Sequence, residues 1–146
     1  MEAPQSDTQQ DGKQTVRLFY EAFARRDVDA ARALVDPQIE WTSAENFIYA
    51  DHSPYVGADA VLKLIFERLF IDWDNFSMRP NGILGGGEIV IANGRFRGVF
   101  RANRAPIDAQ FVQVFQFKDG KIARCQMYTD TAQFKDAISQ ILSTGA

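Results

Sequence analysis

The stretch IDAQFVQVFQFKDGKIARCQMYT, residues 107–129, decides the fold. Ile107, Ala109, Phe111, Gln113, Phe115 and Phe117 alternate with Asp108, Gln110, Val112, Val114 and Gln116, the period of two that marks a strand with distinct faces. Lys118-Asp119-Gly120-Lys121 follows, and Asp-Gly favours a tight hairpin turn whose central residues both take positive φ. Ile122–Thr129 then returns as the second strand. A long antiparallel hairpin is therefore written locally.

The same period extends outward. Glu88–Phe100 reads as a long strand, joined to the hairpin by an Arg101–Pro106 turn. Asp72–Leu84 reads as a strand disturbed at Pro80-Asn81-Gly82, and Gly85-Gly86-Gly87 as the turn after it. Upstream the period changes to helical. Val16, Phe19, Tyr20 and Phe23 form one apolar face, with Asp11 and Gln14 as a capping pair and Arg25-Arg26 at the C-terminal end. Asp27 caps a short helix over Val28–Val35, which Asp36-Pro37 stops. Ile39, Trp41 and Ser43 alternate on a strand, residues 44–57 are irregular, and Asp59–Phe70 is a third helix. A last helix runs from Asp130 or Thr131 to about Leu142 on Phe134, Ala137, Ile138 and Ile141. Helices gathered before and after a long meander predict an α+β fold, with helices packed on one face of a curved antiparallel sheet.

The bulk numbers exclude several classes. The chain has 146 residues, enough for one domain. Residues 1–12 read as a disordered lead-in and 13–146 as the domain. A net charge of −3 offers no basic surface for a nucleic-acid backbone. No apolar run reaches the roughly 20 residues of a membrane span, and the polar start has no signal-peptide core, so a cytoplasmic protein is expected. Cys125 and His52 are the only residues of their kinds, which rules out an intrachain disulfide and a structural zinc site of the usual Cys/His type. The 12 Phe can build a core or line an apolar pocket inside one.

Three segments, YEAFARRDVDAARALVDPQIEW (20–41), NGRFRG (93–98) and VFQFKDGKIARCQMYTDT (114–131), resemble the SnoaL-like and ketosteroid-isomerase-related branch of the nuclear-transport-factor-2-like (NTF2-like) superfamily. The resemblance implies a cone: a curved antiparallel sheet with helices on its concave face and a pocket for a small, mainly apolar ligand. It also implies a homodimer paired through the sheet and no cofactor. Set against ketosteroid isomerase, Phe19 stands at the tyrosine, Trp41 at the base and Gln113 at the second aspartate, so none of that enzyme's reacting groups is kept. The cyclase and epoxide-hydrolase branches place an aspartate at the end of the last strand, which here is Asp130; the hydrolase's second acid is absent from Arg95-Phe96-Arg97.

The candidate site follows. Asp130 is either an acid/base or the cap of the last helix, and Tyr128, two residues before it, shares its strand face. Trp41, Gln113, Phe115, Arg95, Phe19 and Tyr55 are the candidate ligand-binding residues. Arg95 and Arg97 share one strand face opposite Phe96: if that face lines the pocket, at least one guanidinium reaches it and can hold a carboxylate or enolate, and if Phe96 points inward both lie on the outer or dimer face. Two functions compete: cofactor-free acid/base chemistry on a small carbonyl compound, or a non-catalytic binding or dimerisation module.

Overall fold

The computed structural model describes residues 4–140, with side chains from Gly12 onward. Six strands form one sheet in the order β2-β1-β6-β5-β4-β3. β1 (Val35–Thr42) pairs antiparallel with the short β2 (Tyr55–Val56) and parallel with β6 (Lys121–Thr129). β3 (Trp73–Gly86), β4 (Ile89–Phe100) and β5 (Pro106–Lys118) complete an antiparallel meander with β6. The central hairpin turns at Asp119 and Gly120, both at positive φ, as its Asp-Gly pair requires.

The sheet curves because its ladders slip. β3 shifts register between Asp74 and Ser77 and again between Pro80 and Gly82, the segment where the strand pattern is disturbed. At the second shift β3 crosses so close to β4 that a Cβ on Gly94 would lie 2.0 Å from the Arg79 carbonyl oxygen, so only glycine fits there. Pro37 sits where the β1–β6 ladder is interrupted, a position that needs no N–H.

Among the described residues, five α-helical segments flank the sheet: α1 (Pro4–Ala24), α2 (Val28–Ala33), α3 (Ala58–Val61), α4 (Arg68–Asp72) and α5 (Thr131–Ser139). α3 and α4 are joined without a break by a π-helical stretch, Leu62–Glu67. α1 is already helical ahead of Asp11, where the capping pair was expected to begin it. Asp27 does cap α2, its Oδ1 accepting from the Ala30 N–H at 3.0 Å, but the chain turns extended at Val35 instead of continuing the helix. Residues 1–3 of the expected lead-in, and Ile141 and Leu142 of the expected last helix, lie outside the described residues.

Inward-facing residues follow the predicted alternation. Val90, Ala92, Phe96, Ile107, Ala109, Phe111, Gln113 and Phe115 are buried, and Phe111, Gln113 and Phe115 meet Tyr20 of α1. The architecture is thus an α+β cone: a curved, unclosed sheet with helices on its concave side.

Candidate functional site

The register places the inward side chains of three strands in rows. Trp41 pairs with Cys125, which pairs with Phe115. In the next row Gln113 pairs with Met127, and Ser43 directly follows Thr42, the partner of Gln126. Above these rows lie the rings of α1 and of the π-helical stretch. Phe19 is 6.2 Å from Trp41 and 6.1 Å from Phe115 between ring centres, and Phe66 meets Trp41 edge-on at 5.5 Å. Four sequence candidates, Phe19, Trp41, Gln113 and Phe115, are therefore brought together inside the cone.

Only two polar or charged residues are fully buried among the described ones, Ser43 and Gln113, besides the tyrosine and tryptophan polar atoms. Gln113 is satisfied at one end: the Tyr20 hydroxyl donates to its Oε1 at 2.6 Å. Its Nε2 faces the Met78 Sδ at 3.5 Å, a weak acceptor. Trp41 Nε1 and Ser43 Oγ are buried with no hydrogen-bond partner. They lie two residues apart, Trp41 on β1 and Ser43 just past its end. An unpaired buried polar atom costs about 1–3 kcal/mol, so two on one wall call for an account. Among the described residues, no charged side chain is fully buried. Burial, and then the nearby Cys125 thiol, hold the Tyr20 hydroxyl protonated, and burial does the same for Cys125.

The other candidates lie elsewhere. Phe96 points inward and stacks on Phe111 at 4.5 Å, which sends Arg95 and Arg97 to the outer face. Arg95 Nε donates to Asp108 Oδ1 at 2.6 Å, and Arg97 Nε approaches the same oxygen at 3.2 Å. Tyr128 is on that outer face too, more than half exposed. Asp130 occupies the N-cap position of α5, yet its carboxylate caps no backbone N–H; its Oδ2 accepts from Gln133 Nε2 at 3.1 Å. Arg95, Tyr128 and Asp130 border one open groove of about 580 Å³ with Asn81, Asn93 and Gln110. Asp130 borders this groove while Gln113 is buried in the interior, and the sheet lies between them.

Tyr55 serves a third place, the segment between β1 and β2. Its hydroxyl lies 2.5 Å from the Tyr49 carbonyl and 2.9 Å from Asp51 Oδ1. Arg68 grips Asp51 with two nitrogens, at 2.7 and 3.1 Å, and its guanidinium lies 4.8 Å above the Tyr49 ring. Tyr49 donates to Asp72 at 2.6 Å and accepts from Trp73 Nε1 at 3.1 Å. This network fastens the irregular segment to α4 and β3. Hydrogen bonds from Arg68 and then Tyr55 hold the Asp51 carboxyl well below the usual carboxylate range. Among the described residues, no three His, Cys, Asp or Glu side chains converge as a metal site would require. No helix among them is long and apolar enough to cross a membrane.

Sequence reasoning passed over Tyr20 and Ser43 as functional groups. Tyr20 sits on the apolar stripe of α1 and reads as core. The available signal is that a phenol and an amide are the polar atoms of two otherwise apolar stripes.

A six-stranded curved sheet with helices on its concave face and a ring-lined interior defines a class of cone-shaped α+β domains. Within it, the chain belongs to the SnoaL-like domain family, whose model matches residues 16–125. An NTF2-like protein from Burkholderia thailandensis E264 is 29% identical with a TM-score of 0.83, over 88% of this chain and 98% of that one. An NTF2-like protein of unknown function from Burkholderia pseudomallei K96243 is 27% identical with a TM-score of 0.80, over 89% and 98%. A protein provisionally described as a polyketide cyclase from Xanthomonas campestris pv. campestris shares the fold at 20% identity, with a TM-score of 0.79 over 90% and 99%. No curated relative matches by sequence.

Proposed function

We propose that this chain binds a small, mainly apolar molecule between the helices and the concave face of the sheet, with Trp41 Nε1 and Ser43 Oγ meeting its polar atom. One observation carries the reading: two buried polar atoms without partners stand two residues apart at the end of β1. They are set among aromatic rings, the usual make-up of a small-molecule site. A ligand atom placed there would satisfy groups that folding leaves unpaired. Membership of the SnoaL-like family supports it, since the fold serves many such sites.

Binding is the reading favoured over proton transfer. General acid/base catalysis needs a group that titrates near the working pH at hydrogen-bond distance from the substrate. Among the described residues, the interior walls offer a phenol and a thiol, both kept protonated by burial, and no buried carboxylate or imidazole. Asp130, the carboxylate expected to act, borders the groove on the other side of the sheet.

The test is titration with Prodan, a neutral naphthyl ketone whose emission shifts to the blue in apolar surroundings. Wild-type protein is expected to bind it saturably, and Trp41→Phe to weaken binding about tenfold, the loss of one hydrogen bond. Absence of binding up to the solubility limit, or unchanged affinity in Trp41→Phe, would overturn the reading.

A further inference from the structure

We propose that the outer groove holds a zwitterionic α-amino acid, its carboxylate on Arg95, its ammonium on Asp130 and its side chain along Val112 and Tyr128. The inference stands apart from the interior reading, since the sheet lies between the two places. The groove, of about 580 Å³, is floored by two rows of outward side chains. Asn93, Val112 and Tyr128 are ladder partners in one row. Arg95 and Gln110 pair in the next, and Asp130, which follows Thr129, the partner of Phe111, ends that row.

Both ends of the charged row are oriented yet uncompensated. Asp108 has one carboxylate for two guanidiniums: Arg95 Nε lies 2.6 Å from its Oδ1, and Arg97 Nε lies 3.2 Å from the same oxygen. One positive charge is therefore left over. Arg95 Nη2 also donates to the Asp108 carbonyl at 2.9 Å, which sets the plane of the guanidinium and leaves Nη1 without a partner among the described residues. At the negative end, Asp130 Oδ2 accepts from the neutral amide of Gln133 at 3.1 Å, and among the described residues no cation pairs with this carboxylate. Gln133 is itself held on both sides of its amide. Its Nε2 donates to the Asp108 carbonyl at 3.0 Å, and its Oε1 accepts from the Asp108 N–H at 3.0 Å. Asp108 and Gln133 thus form one bracket that positions the two charges and keeps them from pairing with each other.

Asp130 gives up a stabilising role in this arrangement. It stands at the N-cap of α5, where a carboxylate ordinarily accepts from the first free N–H groups, yet it makes no such bond. The place still suits an anion, because the N-terminal end of the helix dipole favours negative charge. A ligand with one charge answers only one end: an anion meets Asp130 as well as Arg95, and a cation meets Arg95 as well as Asp130. An α-amino acid carries both charges one carbon apart and makes a charge-assisted hydrogen bond at each end. Its side chain then falls on the row of Val112 and Tyr128, both exposed, where a ring gains apolar and aromatic contact.

The experiment titrates the protein with L-phenylalanine, with hydrocinnamate, which lacks the ammonium, and with phenethylamine, which lacks the carboxylate. The backbone and side-chain amide resonances of Asn93 and Gln110 report binding by NMR. Exposed ion pairs are weak, so L-phenylalanine is expected to bind with Kd of about 1 mM and each single-ended probe about fivefold more weakly. Arg95→Gln should weaken L-phenylalanine and hydrocinnamate but not phenethylamine. Asp130→Asn should weaken L-phenylalanine and phenethylamine but not hydrocinnamate. That crossed pattern reads the charge at each end, and a general loss of stability does not produce it. The comparison of the three probes on wild-type protein needs no variant. Equal affinities for all three, or equal weakening of all three in both variants, would overturn the assignment of the two ends. Absence of saturable shifts at Asn93 and Gln110 up to about 30 mM L-phenylalanine, as when a second copy of the chain covers Val112 and Tyr128, would overturn the proposal and leave the interior reading untouched.

Discussion

Ser43→Ala isolates the energetic claim behind the site. The Ser43 hydroxyl is buried and unpaired, while its backbone N–H donates to Ser53 Oγ at 3.0 Å, a bond that alanine keeps. Removing Oγ therefore deletes a desolvated polar atom and no hydrogen bond. Leaving such an atom unsatisfied costs about 1–3 kcal/mol, and the small void that remains returns part of the gain, which leaves about 1 kcal/mol of net stabilisation. For a domain of this size that raises Tm by about 3 °C. Calorimetry, together with urea unfolding at unchanged m-value, measures it. Prodan affinity should drop several-fold in the same variant, because the group that destabilises the free protein is the one that meets the ligand. A more stable protein with weaker binding is the signature of a site held against folding. A lower Tm, or unchanged Tm with unchanged affinity, would show that the hydroxyl is paired in solution and refute the reasoning.

Other perturbations test the rest of the structure. Asp51 has its pKa depressed in the folded state, mainly by Arg68, relative to an unfolded value of about 3.9. The stability it adds is complete above about pH 5 and is lost as pH falls through the folded pKa. Asp51→Asn should thus cost stability at pH 7, by less than about 1 kcal/mol for a half-exposed pair, and progressively less as pH falls below about 4; a cost that does not vary with pH in urea unfolding contradicts this. Asp130→Asn should change stability by less than about 0.5 kcal/mol and leave Prodan binding intact, whereas lost binding would move the site to the outer groove. The homodimer implied by the family resemblance is proposed to form through the outer face, where Ile91, Val112 and Tyr128 are exposed. Light scattering at high micromolar concentration should give twice the chain mass for wild type and a single mass for Ile91→Arg, and a monomeric wild type rejects that assembly.

Much of the fold is legible because its signals are local. The Asp119-Gly120 pair needs only its own φ values, and the alternation along β4, β5 and β6 needs only the pleat. The break at Pro80-Asn81-Gly82 became a register shift in β3, in the place where the pattern fails. Helix limits were less legible. Val35 has the pattern of a helix end, yet it joins β1 opposite Ile122, a partner far away in sequence. The continuous run from Ala58 to Asp72 hides a π-helical stretch that no spacing of apolar residues announces.

The candidate site divides along the same line. The sequence by itself determined that Arg95 and Arg97 oppose Phe96, that Trp41 and Ser43 share a face, and that Gln113 lies among rings, because a strand alternates whatever surrounds it. Which of the two faces is inside was decided by the helices packed on the sheet, since a period of two has no sign of its own. Phe96 stacking on Phe111 sent Arg95 outward, and with it the groove that gathers Tyr128 and Asp130. The contact between Tyr20 and Gln113 joins a helix to a strand across most of the chain, and only folding could turn two polar atoms on separate apolar stripes into one oriented pair.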